Sequence, residues 1–190
     1  MAAKKCLELG FDYFLDISQQ IAYKRYIHKK FWNVVLHTVT SLLFTWSAFF
    51  ILSYIVPSLL LHANLLVVLS ICIRQDTLLG LAACLIYPVI YYHAIYMSTA
   101  SFIQAFSLAA LSYIVEVYVG QTWIEGTEPF STPPKSKNPH FLMCDTYNET
   151  FFTFFHNAVT LLIRFDFRSD LLDTSNIYLR KYMDRVKKVP

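Results

Sequence analysis

Charged residues are scarce in this chain, and their distribution is uneven. Only 15% of the 190 residues are charged, whereas about a quarter of a typical soluble domain is. Between 31 and 73 there is no Asp, Glu, Lys or Arg at all. The net charge of +3 is small and no basic run could follow a phosphate backbone, which argues against a nucleic-acid partner. The missing charge indicates a lipid bilayer as the solvent.

Cysteine is also sparse, and its spacing fits neither a metal site nor a disulfide framework. We therefore expect four reduced thiols, at Cys6, Cys72, Cys84 and Cys144. A cleaved secretory leader is not expected either. Glu8, Asp12 and Asp16 interrupt the N-terminal segment before any apolar core.

Apolar and aromatic residues take the place of the missing charges, at 56% and 17% of the chain. About 20 apolar residues cross the hydrocarbon core as a helix. Pro57, a charged turn at 74–77 and a polar break at 98–101 divide the apolar sequence into four runs. We predict spanning helices at 32–56, 58–73, 78–97 and 102–124. Because the breaks are short, these helices are expected to pair as antiparallel hairpins.

Four crossings would place both chain ends and the turn at 74–77 on one face. Every Lys and Arg then lies on that face: six before residue 31, Arg74, and the rest after residue 134. The positive-inside rule makes this face cytosolic, or matrix-facing in a mitochondrion. The sequence leaves two locations open, the mitochondrial inner membrane and the endoplasmic reticulum.

The segments outside the spans divide the chain further. We predict an amphipathic segment at 1–30, the four-helix transmembrane domain at 31–125, a Pro-rich loop at 126–150, and an interfacial segment with a C-terminal surface helix at 151–190. The apolar run at 151–163 is too short to span, so we expect an interfacial or re-entrant segment, with His156 at the membrane interface. The predicted fold is an all-α membrane bundle with amphipathic interfacial helices at both ends.

Polar residues gather at the charged end of the spans. His28 precedes the first span, and Asn33 and His37 lie four residues apart, on one helical face. At the same depth, Gly120, Gln121 and Glu125 close the fourth span. Imidazole and carboxylate ligands with an open position suit non-haem Fe(II). The alternative is that these residues are interfacial anchors that cap the helices.

Three further polar residues lie within the apolar runs. Glu116 is an intramembrane acid, which costs up to about 3 kcal/mol at the bilayer centre. It could be a metal ligand, a proton-carrying group or a partner for a cation, or it could simply be bonded within the bundle. His62 and His93 lie near the uncharged face, where they could ligate a metal or form ordinary hydrogen bonds.

Two stretches of sequence resemble a known family. YKRYIH at 23–28 with NVVLH at 33–37 resembles the opening of the fungal 2-hydroxy-fatty-acid dioxygenase family. VGQTWIEGTEP at 119–129 resembles its second signature, Gly-His with Glu four residues after the His and Pro four residues after the Glu. The resemblance implies a protein of the endoplasmic reticulum that uses Fe(II) and O₂ to shorten 2-hydroxy fatty acids by one carbon. It would make His28 and His37 metal-site histidines, and Glu125 a ligand or supporting acid.

The chain departs from the family where the chemistry would be. The family's Gly-His is Gly120-Gln121 here, and an amide is a weaker iron ligand than an imidazole. One extra residue and no proline stand between His28 and Asn33. An unbroken helix would put His28 and His37 on opposite faces, because nine steps of about 100° end half a turn away.

Two functions follow from this pattern. The first is a non-catalytic accessory subunit of a larger organellar membrane complex, with lipids and other membrane proteins as partners and no cofactor. The second is an Fe(II)-dependent 2-hydroxy fatty acid dioxygenase of lipid alpha-oxidation, in which Glu116 replaces Gln121 as a ligand. The substitutions fall on the site and spare the scaffold, which favours the first.

Overall fold

The computed structural model describes residues 6–128 and 133–187, and within these ranges the chain is helical with no strand. The eight α-helices are α1 (Ile17–Ile27), α2 (Phe31–Ser53), α3 (Ser58–Gln75), α4 (Thr77–Tyr92), α5 (Phe102–Ile114), α6 (Pro139–Phe151), α7 (Thr153–Ile163) and α8 (Ser169–Lys187). A 3₁₀ turn, Phe11–Phe14, precedes α1. Wider π-helical turns, His93–Met97 and Val115–Glu125, extend α4 and α5. The predicted all-α fold is confirmed.

Four helices are long and apolar enough to cross a membrane. They are α2, α3, α4 with its extension and α5 with its extension, and their ends differ from the predicted ones by at most three residues. The prediction of four spans is confirmed. The chain is therefore a multi-pass membrane protein whose helices contact lipid.

Short polar sequences start two of these helices. The Asp76 carboxylate accepts a hydrogen bond from the Leu79 N–H at 2.9 Å at the start of α4. Ser101 and Gln104 form a reciprocal capping box at the start of α5. Such caps satisfy backbone donors that have no partner within the helix. The polar breaks seen in the sequence are therefore helix starts.

Exposed aromatic residues lie at two levels along the spans. Trp32 and Trp123, at the charged ends of α2 and α5, are 70% and 80% exposed. Tyr54, Tyr92 and Tyr96, at the opposite ends of α2 and α4, are each more than half exposed. Trp and Tyr are enriched at both membrane–water interfaces. The positions of these five residues at the span ends are consistent with that preference, although Tyr113 and Tyr118, within the fourth span, are also exposed.

The helices outside the spans are more deeply buried than their sequences indicate. In α1 all residues from 17 to 24 are buried, because α8 covers one side and α7 the other. α7 packs along α2, and His156 within it is fully buried, with Nε2 2.9 Å from Gln75 Oε1. α1 and α2 between them cover this part of α7, so His156 is buried in the protein beside Gln75, the last residue of α3. Its expected position at the membrane interface stays a prediction.

The spanning helices fall into two classes. α2 lies at the centre and contacts α5 and α7, whereas α3 packs mainly on α4. Only 17% of the apolar windows of α3 and α5 is buried, compared with 44% for α2 and 39% for α4. α3 and α5 are therefore peripheral helices with most of their surface available to lipid or to another protein.

Candidate functional site

The candidate site begins at a break between α1 and α2. His28 ends α1 in an extended conformation, with φ −119° and ψ 90°. The Arg164 guanidinium Nη2 donates to the carbonyl oxygens of His28 and Lys29 at 3.0 Å each. Because these carbonyls are bound by a side chain, the helix stops here without a proline.

The break brings His28 and His37 together. Their ring centroids are 3.9 Å apart and the rings are inclined by 34°. The expectation of opposite faces is wrong, because the chain is not helical between Ile27 and Phe31. His28 Nδ1 lies 3.0 Å from the Asn33 amide nitrogen, a donor, so Nδ1 accepts and the ring proton is on Nε2. Burial, together with neighbouring His37, lowers the pKa of His28 well below its ordinary value, so this ring is neutral.

Glu125 links the end of the fourth span to the start of the first. Its Oε1 atom accepts hydrogen bonds from the Lys30 N–H at 2.9 Å and from the Asn33 amide at 3.0 Å. The Lys30 side chain supplies no cap of its own to α2. Glu125 therefore satisfies backbone and side-chain donors at the start of α2, in the manner of a helix cap from a distant residue.

Gly120 permits α5 to approach α2 closely. A Cβ atom at this position would lie 2.6 Å from Asn33 Oδ1 and 3.0 Å from His37 Nε2. Both of those atoms are buried without a hydrogen-bond partner among the described residues. Gly120 therefore contacts Asn33 and His37, two other residues that carry the family resemblance.

Glu116 lies one layer deeper, against the same helix. Its carboxylate accepts a hydrogen bond from the Thr40 hydroxyl at 2.6 Å and lies 3.6 Å from His37 Nδ1. The backbone carbonyl of His37 accepts further bonds from Ser41 and from Asn157 of α7. Of the interpretations left open for Glu116, hydrogen bonding within the bundle is the one that these contacts match.

The geometry does not fit a shared metal ion as it stands. A histidine binds metal through a nitrogen lone pair in the plane of its ring. The His28 and His37 rings lie face against face, inclined by 34°, so these lone pairs do not converge on one point. Glu125 faces the start of α2, and Gln121 lines a cavity beside His28 and His37. Within residues 6–128 and 133–187, no three His, Cys, Asp or Glu side chains are placed to hold a metal.

A buried charge cluster adjoins these residues, and sequence reasoning missed it. Lys24 of α1 lies 3.0 Å from Glu149 of α6. Lys135 lies 2.7 Å from Asp145 and also pairs with Glu149. We call Lys24, Lys135, Asp145 and Glu149 the charge cluster. The one signal in the sequence is the i,i+4 spacing of Asp145 and Glu149, which puts both on one face of α6.

Mutual pairing favours the charged forms of Lys135 and Glu149 in the charge cluster. Burial opposes the charge of Lys135, but Glu149 and the other neighbours outweigh it and hold the Lys135 pKa well above its ordinary value. Burial likewise works against the Glu149 carboxylate, yet Lys135 and Lys24 hold its pKa well below the ordinary value. The Lys135 ammonium also lies 4.7 Å from the centre of the Tyr23 ring, a cation–π distance.

The candidate residues and the charge cluster line one cavity. This polar chamber has a volume of about 460 Å³ and is bordered by His28, His37, Glu116, Gln121 and the charge cluster. A second cavity of about 510 Å³ shares Glu116, Asp145 and Glu149 with it. A third, of about 790 Å³, shares Phe44 and Thr150 with the second and is lined mainly by apolar side chains of α2, α5 and α6.

The histidines at the uncharged end do not meet. His93 Nδ1 accepts a hydrogen bond from the Trp46 indole at 3.0 Å. His62 Nδ1 lies 2.6 Å from the Ser58 carbonyl oxygen, and its other nitrogen lies 3.4 Å from the Tyr96 hydroxyl. Each therefore has its own hydrogen-bond partner near the membrane boundary. The four cysteines are free thiols, as expected.

The chain matches no protein-family model, no curated protein and no solved structure. Its function is therefore argued from the contacts of its own residues. Pro129, the last residue of the second motif, lies outside the described residues.

Proposed function

We propose that this chain is a non-catalytic accessory subunit of a larger organellar membrane complex. In this proposal the residues that resemble a dioxygenase site hold helices together and bind no iron. The organelle is the mitochondrion or the endoplasmic reticulum, and the charged face points to the matrix or the cytosol. Membrane proteins and lipids are its partners.

The role of Glu125 carries the proposal. One Glu125 oxygen accepts two hydrogen bonds at the start of α2, which gives this residue a structural role between two helices. Asn33 bonds both Glu125 and His28, so the first and second motifs are joined directly. These contacts fasten α5 to α2, and they need no metal to do so.

The exposed surfaces of α3 and α5 support the presence of protein partners. Both helices bury little of their span surface within the chain. Helix association in lipid relies on small and polar residues, since apolar surface alone gives little gain there. The outward surface of α5 carries Ser107, and that of α3 carries Ala63 and Ser70. These small residues would let partner helices approach closely.

The test is the native mass of the endogenous protein in a mild detergent. We expect a particle far larger than the 22.1 kDa chain, with the same partner proteins in each preparation. A protein that migrates as a small, isolated species would overturn the proposal.

A second candidate function is an Fe(II)-dependent 2-hydroxy fatty acid dioxygenase. The observation in its favour is that His28, His37 and Glu116 all line the polar chamber, which continues into an apolar groove. The side chains would need to rearrange to point at one ion before they could support iron chemistry.

Bound iron and lipid turnover would decide between the two functions. The purified protein would be loaded with Fe(II) anaerobically and assayed with a 2-hydroxy fatty acid, beside the His37→Ala variant. Turnover that disappears in this variant establishes the enzyme. No bound iron and no turnover in the unsubstituted protein, combined with altered assembly of the His37→Ala variant, establishes the subunit.

A further inference from the structure

The three adjoining cavities form one amphipathic path between α2, α5 and α6. Tyr113 of α5 lines all three and is 52% exposed. The polar end lies at the charged face, beside the charge cluster. The apolar end is bordered by Ala48 and Ile51 of α2 and by Phe106 and Ala110 of α5. Since α2 and α5 are spanning helices, the apolar end lies at the depth of lipid tails.

The charges at the polar end are arranged in two layers. The lysine side chains of the charge cluster are almost fully covered, Lys24 at 4% exposed and Lys135 at 6%. The carboxylates are more open, with Glu149 at 38%, Asp145 at 17% and Glu116 at 20%. The surface that a ligand meets is therefore acidic, and both lysines already pair with carboxylates.

This arrangement selects among membrane lipids. A fatty acid carboxylate, or the headgroup of an anionic lipid, would meet acidic groups and find no unpaired lysine among the described lining residues. An ammonium group would instead face the three carboxylates, and the Tyr113 ring beside them offers a cation–π surface. The ligand must also carry an acyl chain to fill the apolar end.

We propose that this path binds a zwitterionic phospholipid of the surrounding bilayer, with its ammonium group in the polar chamber and one acyl chain along the groove between α2 and α5. The bound lipid would fill the space between α5 and α6, which have few direct contacts with each other.

The experiment measures lipid retained by the full-length protein. The protein would be reconstituted in vesicles of phosphatidylcholine, phosphatidylglycerol and oleic acid in equal parts, extracted in mild detergent, and analysed by native mass spectrometry. We expect retained phosphatidylcholine to be enriched about tenfold over the other two, a difference of about 1.4 kcal/mol. Enrichment of oleic acid or phosphatidylglycerol, or retention of no lipid, would overturn the proposal.

Two bulky substitutions locate the bound chain. Ala110→Trp would fill the groove, whereas Ala82→Trp places the same side chain on the exposed surface of α4. We expect Ala110→Trp to lose the retained lipid and Ala82→Trp to keep it. Ala48→Trp fills the groove from the opposite wall and replaces Ala110→Trp if that variant fails to fold. Equal retention by groove and control variants would overturn the assigned position.

A conservative variant tests the headgroup. Glu116→Gln keeps an oxygen that can accept the Thr40 hydrogen bond but removes the ionisable carboxyl group from the chamber. We expect the preference for phosphatidylcholine over phosphatidylglycerol to fall severalfold while thermal unfolding stays unchanged. An unaltered preference would show that the carboxylates do not contact the ammonium.

Discussion

The region around α2 and the hairpin of α3 and α4 are packed by different means. Along α2 the buried residues are largely polar, among them Asn33, His37 and Thr40, and they bond to α5 and α7. In the hairpin the buried residues of α4 are Leu79, Gly80, Ala83, Tyr87, Ile90 and Tyr91. Close backbone contact at Gly80 and apolar packing hold this pair.

The difference reflects the bilayer as solvent. Apolar side chains gain little from leaving lipid tails, so membrane helices associate through close packing and hydrogen bonds. The hairpin uses close packing between neighbours in the chain, joined by the single residue Asp76. The α2 region must instead join segments that lie far apart in sequence, such as Lys24 and Glu149. Directional bonds between polar groups specify these pairings.

The largest expected effect comes from the charge cluster. Lys135→Met would leave Asp145 without its ammonium partner and Glu149 with Lys24 alone. Because both carboxylates are partly exposed, we expect a loss of about 3 kcal/mol in unfolding free energy, the lower end for a broken buried ion pair. Thermal or denaturant unfolding in detergent measures it. Lys137→Met, at an exposed position, is the control and should change stability by less than about 0.5 kcal/mol. Equal stability of the two variants would contradict the claim that polar bonds hold the α2 region together.

Substituting alanine for each of the two buried glycines compares the packing of the hairpin with that of the α2 region. At Gly80 a Cβ atom would lie 2.5 Å from Ile73 N and 2.6 Å from Cys72 C, both backbone atoms that cannot rotate away. We expect Gly80→Ala to cost about 1–3 kcal/mol. At Gly120 the obstructing atoms belong to the Asn33 and His37 side chains, so Gly120→Ala should cost less. Unfolding in detergent measures both, and a greater loss at Gly120 would be evidence against rigid backbone packing in the hairpin.

A smaller effect is expected where α5 meets the start of α2. Glu125→Ala removes the acceptor for the Lys30 N–H, and the loss of a helix cap costs about 1 kcal/mol. Glu125→Gln retains an oxygen that can accept both hydrogen bonds, so its stability should stay near that of the original chain. If both variants unfold alike, the charge of Glu125 matters and its role as a cap is wrong.

The smallest effect is a dependence on pH. Burial lowers the pKa of His156 from 6.5 to about 3, so below pH 6.5 the unfolded chain takes up a proton that the folded chain does not. Stability is complete above this pH and falls on acidification, by about 1 kcal/mol for this residue between pH 7 and 5.5. His156→Gln should reduce the dependence of the unfolding free energy on pH. The part that remains is due to His28, whose pKa is also lowered. An unchanged slope would exclude His156 as its source.

The spans could be predicted because lipid imposes a local rule. A spanning helix must be apolar over the thickness of the bilayer. The polar residues on either side of an apolar run therefore mark the ends of the helix. Asn33 and Glu125 were expected at the same depth, since both lie at the charged ends of their spans, but their direct contact was not predicted. The contact of His28 with His37 could not be predicted, because the break between them depends on Arg164, far along the chain.

The burial of the non-spanning helices could not be predicted either. The sequence of α1 contains Ser18, Gln19, Gln20 and Lys24, which resemble a solvated surface, yet all four are buried. Partners for two of them come only from the folded chain: Lys24 contacts Glu149, and Gln20 contacts Asn148. Burial of polar groups is set by partners distant in sequence, and local composition carries no record of them.

By itself, the sequence determined an all-α membrane protein with four spans, their approximate ends and the grouping of charge at one end. These properties depend on the hydropathy of continuous segments. The tertiary structure alone decided how the candidate residues face each other. In the π-helical end of α5, bonds from i to i+5 put Gly120 and Glu125 near one face, whereas at 3.6 residues per turn five residues end about 140° away. That local widening lets one helix present Glu116, Gly120 and Glu125 to α2.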